Sequence, residues 1–129
     1  MTMKVLVIDD EQDIRLVAQV GLRSAGMTVV TADSGEAGIE AARRERPDAI
    51  LLDVMMPGMD GYATCAALKA DAELASIPVV YLTAKSPIGA QARAGAAGAA
   101  GFIAKPFLPL ELPALLTAVL EKGPGPFCK

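Results

Sequence analysis

Asp9-Asp10, Asp53, Thr83 and Lys105 are the residues of this chain whose types could do chemistry together. Each stands at the end of an apolar run. Val5-Leu6-Val7-Ile8 leads to the acid pair, Ile50-Leu51-Leu52 to Asp53, Ile77 to Leu82 to Thr83, and Gly101 to Ala104 to Lys105. In a parallel sheet the C-terminal ends of all strands share one edge, so groups far apart in the chain converge there. Three carboxylates in one place repel each other and have raised pKa values unless a cation neutralises them. A hard divalent ion does so, and Mg2+ takes one or two carboxylates together with water and phosphate oxygens. An ammonium and a hydroxyl beside such an ion suit phosphoryl transfer, because they meet the charge on the equatorial oxygens. A carboxylate can itself be the nucleophile and needs no general base, being deprotonated already.

Composition supports that choice by exclusion. The chain has 129 residues and no histidine, which removes the usual general base and any Ser-His or Cys-His pair. It also means that the chain cannot carry a phosphohistidine. The two cysteines, Cys65 and Cys128, have no metal-like spacing and read as free thiols of a reducing compartment. With 12 basic and 15 acidic residues the net charge is −3, which argues against direct, sequence-independent nucleic-acid binding. The first apolar run, Val5 to Ile8, is too short for a signal segment or a membrane span, so we expect a cytoplasmic protein that does not contact a membrane.

The elements that must position these groups follow from periodicity. Residues 4–8 form a continuous apolar run, the mark of a strand buried on both faces. From Asp13 to Ala25 the pattern is helical, with Ile14, Val17, Ala18 and Gly21 on one face and Arg15, Gln19 and Arg23 on others. Gly26 suits the residue after that helix. Met27 to Thr31 is a second strand. Ser34-Gly35-Glu36 opens a helix that runs to about Arg46, where Pro47 closes it. Residues 48–53 are the third strand, and Asp60 can cap the next helix, which runs to about Ala70 or Ala72. After the fourth strand, Ser86-Pro87 opens a helix rich in small residues. The fifth strand is Gly101 to Ala104, and the last helix runs from about Leu110 to Lys122, with Pro113 tolerable only in its first turn. The order is (βα)5, an α/β doubly wound parallel sheet. No Gly-x-Gly-x-x-Gly follows the first strand and no P-loop is present, so a dinucleotide or ATP site is unsupported.

Taken in order, these motifs resemble the receiver domains of two-component response regulators. The resemblance rests on Val7-Ile8-Asp9-Asp10-Glu11, on Gly26 with Ala32 and Ser34-Gly35-Glu36-Ala37, and on Pro47-Asp48. It continues through Asp53-Val54-Met55-Met56-Pro57-Gly58-Met59-Asp60-Gly61, Leu82-Thr83-Ala84, Ala94-Gly95-Ala96 and Lys105-Pro106-Phe107. It covers residues 3 to about 122. We therefore expect a receiver domain over 1–122, a short tail over 123–129 with no output domain, and sheet order 2-1-3-4-5.

The resemblance implies roles by position. Asp53 is the phospho-acceptor. Asp10 binds Mg2+ directly, Asp9 mainly through water, and the Met55 backbone carbonyl is a further ligand. Lys105 contacts the phosphoryl group, Thr83 swings toward it, Phe102 turns inward as an aromatic switch, and Lys105-Pro106 is a cis peptide. Met55 and Lys85 flank the group where the family tunes dephosphorylation. The implied donor is a sensor histidine kinase or a histidine phosphotransfer protein, and the implied output is a downstream protein. The readout face is the fourth helix, fifth strand and fifth helix. Here that face departs from the family pattern, with few polar residues on the fourth helix and Leu108-Pro109-Leu110-Glu111-Leu112-Pro113 where acidic caps are usual. An apolar docking face, with a homodimer as one outcome, is the corresponding expectation. Two other readings stay open on the residues alone. One is a Mg2+-dependent phosphohydrolase with an aspartyl nucleophile, although Asp9-Asp10-Glu11 lacks the Asp-x-Asp spacing of that class. The other is a degenerate receiver that only scaffolds.

Overall fold

In the computed structural model the described residues are 3–83, 100–105 and 107–122. Five strands form one parallel sheet in the order β2-β1-β3-β4-β5, as expected. They are β1 (Lys4–Ile8), β2 (Thr28–Ala32), β3 (Ala49–Asp53), β4 (Val79–Thr83) and β5 (Gly101–Ala104). Between and after them lie α1 (Gln12–Ser24), α2 (Gly35–Glu45), α3 (Gly61–Ala70), a 3-10 turn (Pro109–Glu111) and α4 (Leu112–Lys122), the last helix among the described residues, which corresponds to the fifth helix expected from the sequence. The Ser86-Pro87 helix, Lys85, the Lys105–Pro106 peptide, Cys128 and the tail lie outside the described residues.

Successive side chains of a strand point to opposite faces, so each strand feeds two cores. Leu6, Ile8, Ile50, Leu52, Val79 and Tyr81 join one core with Ala41 and Ala42 of α2 and Cys65 and Leu68 of α3. Val5, Val7, Leu51, Val80, Leu82 and Ile103 join the other with Ala18 and Leu22 of α1 and Leu112 and Leu116 of α4. This is the doubly wound arrangement. It explains why β1, β3 and β4 read as unbroken apolar runs rather than as alternating ones.

The helix ends follow local chemistry. The Ser34 hydroxyl accepts from Ala37 N at 3.1 Å, and Asp60 Oδ1 accepts from Ala63 N at 2.8 Å, so both expected caps form. Gly26 takes φ +84° after α1, as a helix-ending glycine does. Arg46, at φ 49°, ends α2 in the left-handed region without being glycine.

Most boundaries lie within one residue of expectation, and two differ by more. β4 starts at Val79 rather than Ile77, because Pro78 cannot donate to the ladder, and it runs through Thr83. The last helix begins at Leu112 rather than Leu110. Pro109 and Pro113 break the run, so residues 109–111 close as a 3-10 turn and Pro113 falls in the first turn of α4. Leu108 and Leu110 are exposed at 63% and 74%, so the inward stripe begins only at Leu112.

Candidate functional site

The site is built from the loops that leave β1, β3 and β5. Strand β3 ends at Asp53, whose side chain is buried although it is charged. The chain then turns through Pro57-Gly58, with Gly58 at φ +73°, and α3 begins at Gly61. Gly61 N donates to Val54 O at 3.0 Å, and a β-carbon at Gly61 would lie 2.3 Å from Asp53 O. The start of α3 therefore rests directly on the backbone that carries Asp53, which only glycine allows.

Strand β5 delivers Lys105, whose backbone N–H donates to Thr83 O at 2.8 Å. Its ammonium crosses the sheet edge and donates to Asp53 Oδ1 at 2.9 Å and Asp9 Oδ2 at 3.1 Å. Glu11 Oε1 stands 3.9 Å away. Asp9 is fully buried, and its Oδ1 accepts from Glu11 N at 2.9 Å. Ligand oxygens of Asp9, Asp10 and Asp53 lie within 4.8 Å of one another, while Asp10 itself is exposed. Asp53 Oδ2 is buried and meets no donor in bonding geometry among the described residues.

Burial is the main force on Asp53 and pushes its pKa up from 3.8 to about 6. The Lys105 hydrogen bond and charge pull it down, the Asp9 charge pushes it up, and the Met55 backbone N–H lowers it least. Mutual repulsion, the cause expected from the sequence, is thus secondary to desolvation. For Lys105, burial works against the charge, but Asp53 and Asp9 outweigh it and hold the ammonium above its usual range.

An all-oxygen, acid-rich set with an unsatisfied buried oxygen fits a hard divalent cation such as Mg2+. The structure thus brings Asp9, Asp10, Asp53 and Lys105 together. Thr83 is buried at the end of β4, one residue beyond the partner of Asp53 in the β3–β4 register. Met55 lies two residues past Asp53 with 65% of its surface exposed. Phe102 is half-buried against the core beside Tyr81, its partner in the β4–β5 register. Two contributors are not singled out by the sequence. Gly61 falls inside a longer motif, and Arg15 falls outside the inward face of its helix. The Arg15 Nη1 in fact donates to Asp9 O at 2.7 Å.

The fold and site define a doubly wound α/β domain with an acid pocket and a lysine at the C-terminal edge of its sheet. Residues 5–117 match the response regulator receiver domain, and the chain belongs to that family. It is 37% identical over 123 residues to the alkaline phosphatase synthesis transcriptional regulatory protein PhoP of Bacillus subtilis, covering 95% of this chain and 50% of that one. It is 38% identical to the transcriptional regulatory protein PrrA of Mycobacterium bovis over 92% of this chain and 50% of that one. The chain spans about half the length of these curated relatives. Among solved structures, the chemotaxis response regulator CheY4 of Vibrio cholerae superposes with TM-score 0.86 at 35% identity, over 92% of this chain and 99% of that one. The N-terminal domain of a response regulator receiver protein from Methanoculleus marisnigri gives 0.75 at 35%, over 94% and 95%. A receiver domain is a signalling switch of two-component systems. No helix among the described residues is long and apolar enough to cross a membrane.

Proposed function

We propose that this domain is a cytosolic phosphorylation switch with Asp53 as its phospho-acceptor. The observation that carries this reading is a buried carboxylate with one oxygen on Lys105 and the other without a hydrogen-bond partner among the described residues, close to the ligand oxygens of two further aspartates. Asp9, Asp10 and Asp53, with the Met55 carbonyl, would hold a Mg2+ ion, which when bound neutralises the carboxylates and the phosphoryl oxygens.

The chain's own residues do the rest. A carboxylate oxygen of Asp53 attacks the phosphorus of a phosphohistidine on a sensor kinase or phosphotransfer protein. The P–N bond breaks, its electron pair stays on the imidazole nitrogen, which takes a proton from solvent, and an acyl phosphate remains on Asp53. With a pKa of about 6, Asp53 is mostly ionised at neutral pH and needs no base. Lys105 already reaches Asp53 Oδ1 and would follow the phosphoryl oxygens. The Thr83 hydroxyl would bond the phosphoryl group, and Phe102 would turn inward to report it. Hydrolysis of the acyl phosphate within the same site would reset the switch.

The signal would be read on the face that includes β5 and α4. A groove of about 300 Å3 lies there, lined in part by Phe102, Phe107, Leu115 and Val119. Incubation with Mg2+ and a small acyl phosphate should add one phosphoryl group to the chain, seen by intact mass, and Asp53→Asn should add none. Loss of the reaction on chelating Mg2+ is expected as well. Steady turnover of phosphomonoesters in excess over protein would instead make the domain a phosphohydrolase.

A further inference from the structure

The acids at the end of β1 lie outside regular structure, so something must fix their geometry. Asp9 is held at four points. Its N–H donates to Ala32 O at 3.1 Å, its Oδ1 accepts from Glu11 N at 2.9 Å, and its Oδ2 accepts from Lys105 at 3.1 Å. The fourth is the carbonyl, which accepts from Arg15 Nη1 at 2.7 Å. The first three orient Asp9 itself. The fourth fixes the peptide that leads into Asp10, the exposed member of the acid trio.

We propose that Arg15 is a positioning residue of the cation site: its guanidinium holds the Asp9 carbonyl and so places the Asp10 carboxylate toward Asp9 and Asp53. This rests on the reading of the trio as a Mg2+ site. Arg15 is half-buried in the first turns of α1, and its backbone N–H bonds Glu11 O at 3.2 Å, so its backbone is anchored to the same loop its side chain grips. The guanidinium is planar, always charged and rich in donors, which makes it a stiff brace. Partners that orient metal ligands without touching the metal commonly change affinity tenfold or more.

The sign of the effect separates this role from simple electrostatics. A fixed positive charge near three carboxylates opposes a cation, so loss of that charge alone predicts tighter binding. Loss of the brace predicts weaker binding. The test is titration of the full chain with Mn2+, reading free Mn2+ by electron paramagnetic resonance, on wild type, Arg15→Met and Arg15→Lys. Thermal unfolding of each metal-free form runs alongside. We expect Arg15→Met to bind roughly tenfold more weakly and Arg15→Lys, which keeps a donor and the charge, to fall between it and wild type. Arg15→Met binding as tightly as wild type, or more tightly, overturns the proposal, and so does a lysine variant no better than the methionine one. A wild type that binds no Mn2+ removes the metal reading itself, whereas tight wild-type binding unchanged in Arg15→Met removes only the role of Arg15.

Discussion

At Asp53, burial and charge work against each other. The folded state raises this carboxyl from 3.8 to about 6, chiefly by desolvation, so the folded protein binds a proton there more tightly than the unfolded chain does. A group of this kind costs no stability below about pH 4. The cost grows as pH rises through the interval from about 4 to about 6 and is complete above it. Two pKa units correspond to on the order of 3 kcal/mol. In metal-free buffer Asp53→Asn, which keeps the shape and loses the charge, should therefore gain on wild type across that interval by up to this amount. Urea denaturation of both proteins at several pH values checks it, and a difference that stays flat from pH 4 to 7 would contradict it. The position of Asp53 is legible in the sequence, because an apolar run that ends on a carboxylate just before Pro57-Gly58 marks a buried strand delivering an acid to the sheet edge. The dominance of burial over repulsion is not, since it depends on how the loops close over the strand end. The Arg15 bond is invisible for a related reason: a side chain that reaches back six residues to a backbone carbonyl leaves no periodic mark.

At the scale of elements, two glycines allow helices to sit where the site needs them. A β-carbon at Gly61 would lie 2.3 Å from Asp53 O and 2.8 Å from Val54 Cα, both backbone atoms of the strand end that cannot swing away. Gly61→Ala should cost about 1–3 kcal/mol and lower the rate of phosphoryl gain, because the Asp53 backbone must shift. Urea midpoints and acyl-phosphate kinetics on this variant test both effects. An alanine variant of wild-type stability would show that α3 can move off the strand at no cost. Gly21 has the parallel role on the other face. Its β-carbon would lie 1.9 Å from Pro109 O, so α1 and the 3-10 turn that follows Lys105 are in backbone contact. Gly21→Ala should be destabilising by a similar amount, with urea denaturation as the check. Helical periodicity puts Gly21 on the inward face of α1, where the structure has it. It does not reveal that a proline carbonyl presses on this residue, because the same periodicity reads that turn as helix.

For the whole molecule, the sheet and its order are legible because parallel strands buried on both faces have a simple signature. Doubly wound packing then leaves few ways to connect them. The boundary of the last helix is less legible, because two prolines four residues apart permit either a turn or a helix start. The acid pocket couples the fold to its ion. If Mg2+ binds the folded domain alone, a hundredfold excess over Kd stabilises it by about 2.7 kcal/mol. Unfolding temperature should therefore climb with Mg2+ in wild type and climb much less in Asp53→Asn. Equal shifts in both would place the ion elsewhere.

The most direct test of the central claim is chemical location of the phosphoryl group. Wild-type protein is treated with Mg2+ and a small acyl phosphate, reduced with borohydride and mapped by peptide mass spectrometry. An acyl phosphate on Asp53 is converted to homoserine at position 53, and we predict homoserine there and at no other carboxylate. Homoserine at Asp9 or Asp10, or none anywhere after confirmed phosphoryl uptake, would contradict the assignment of Asp53.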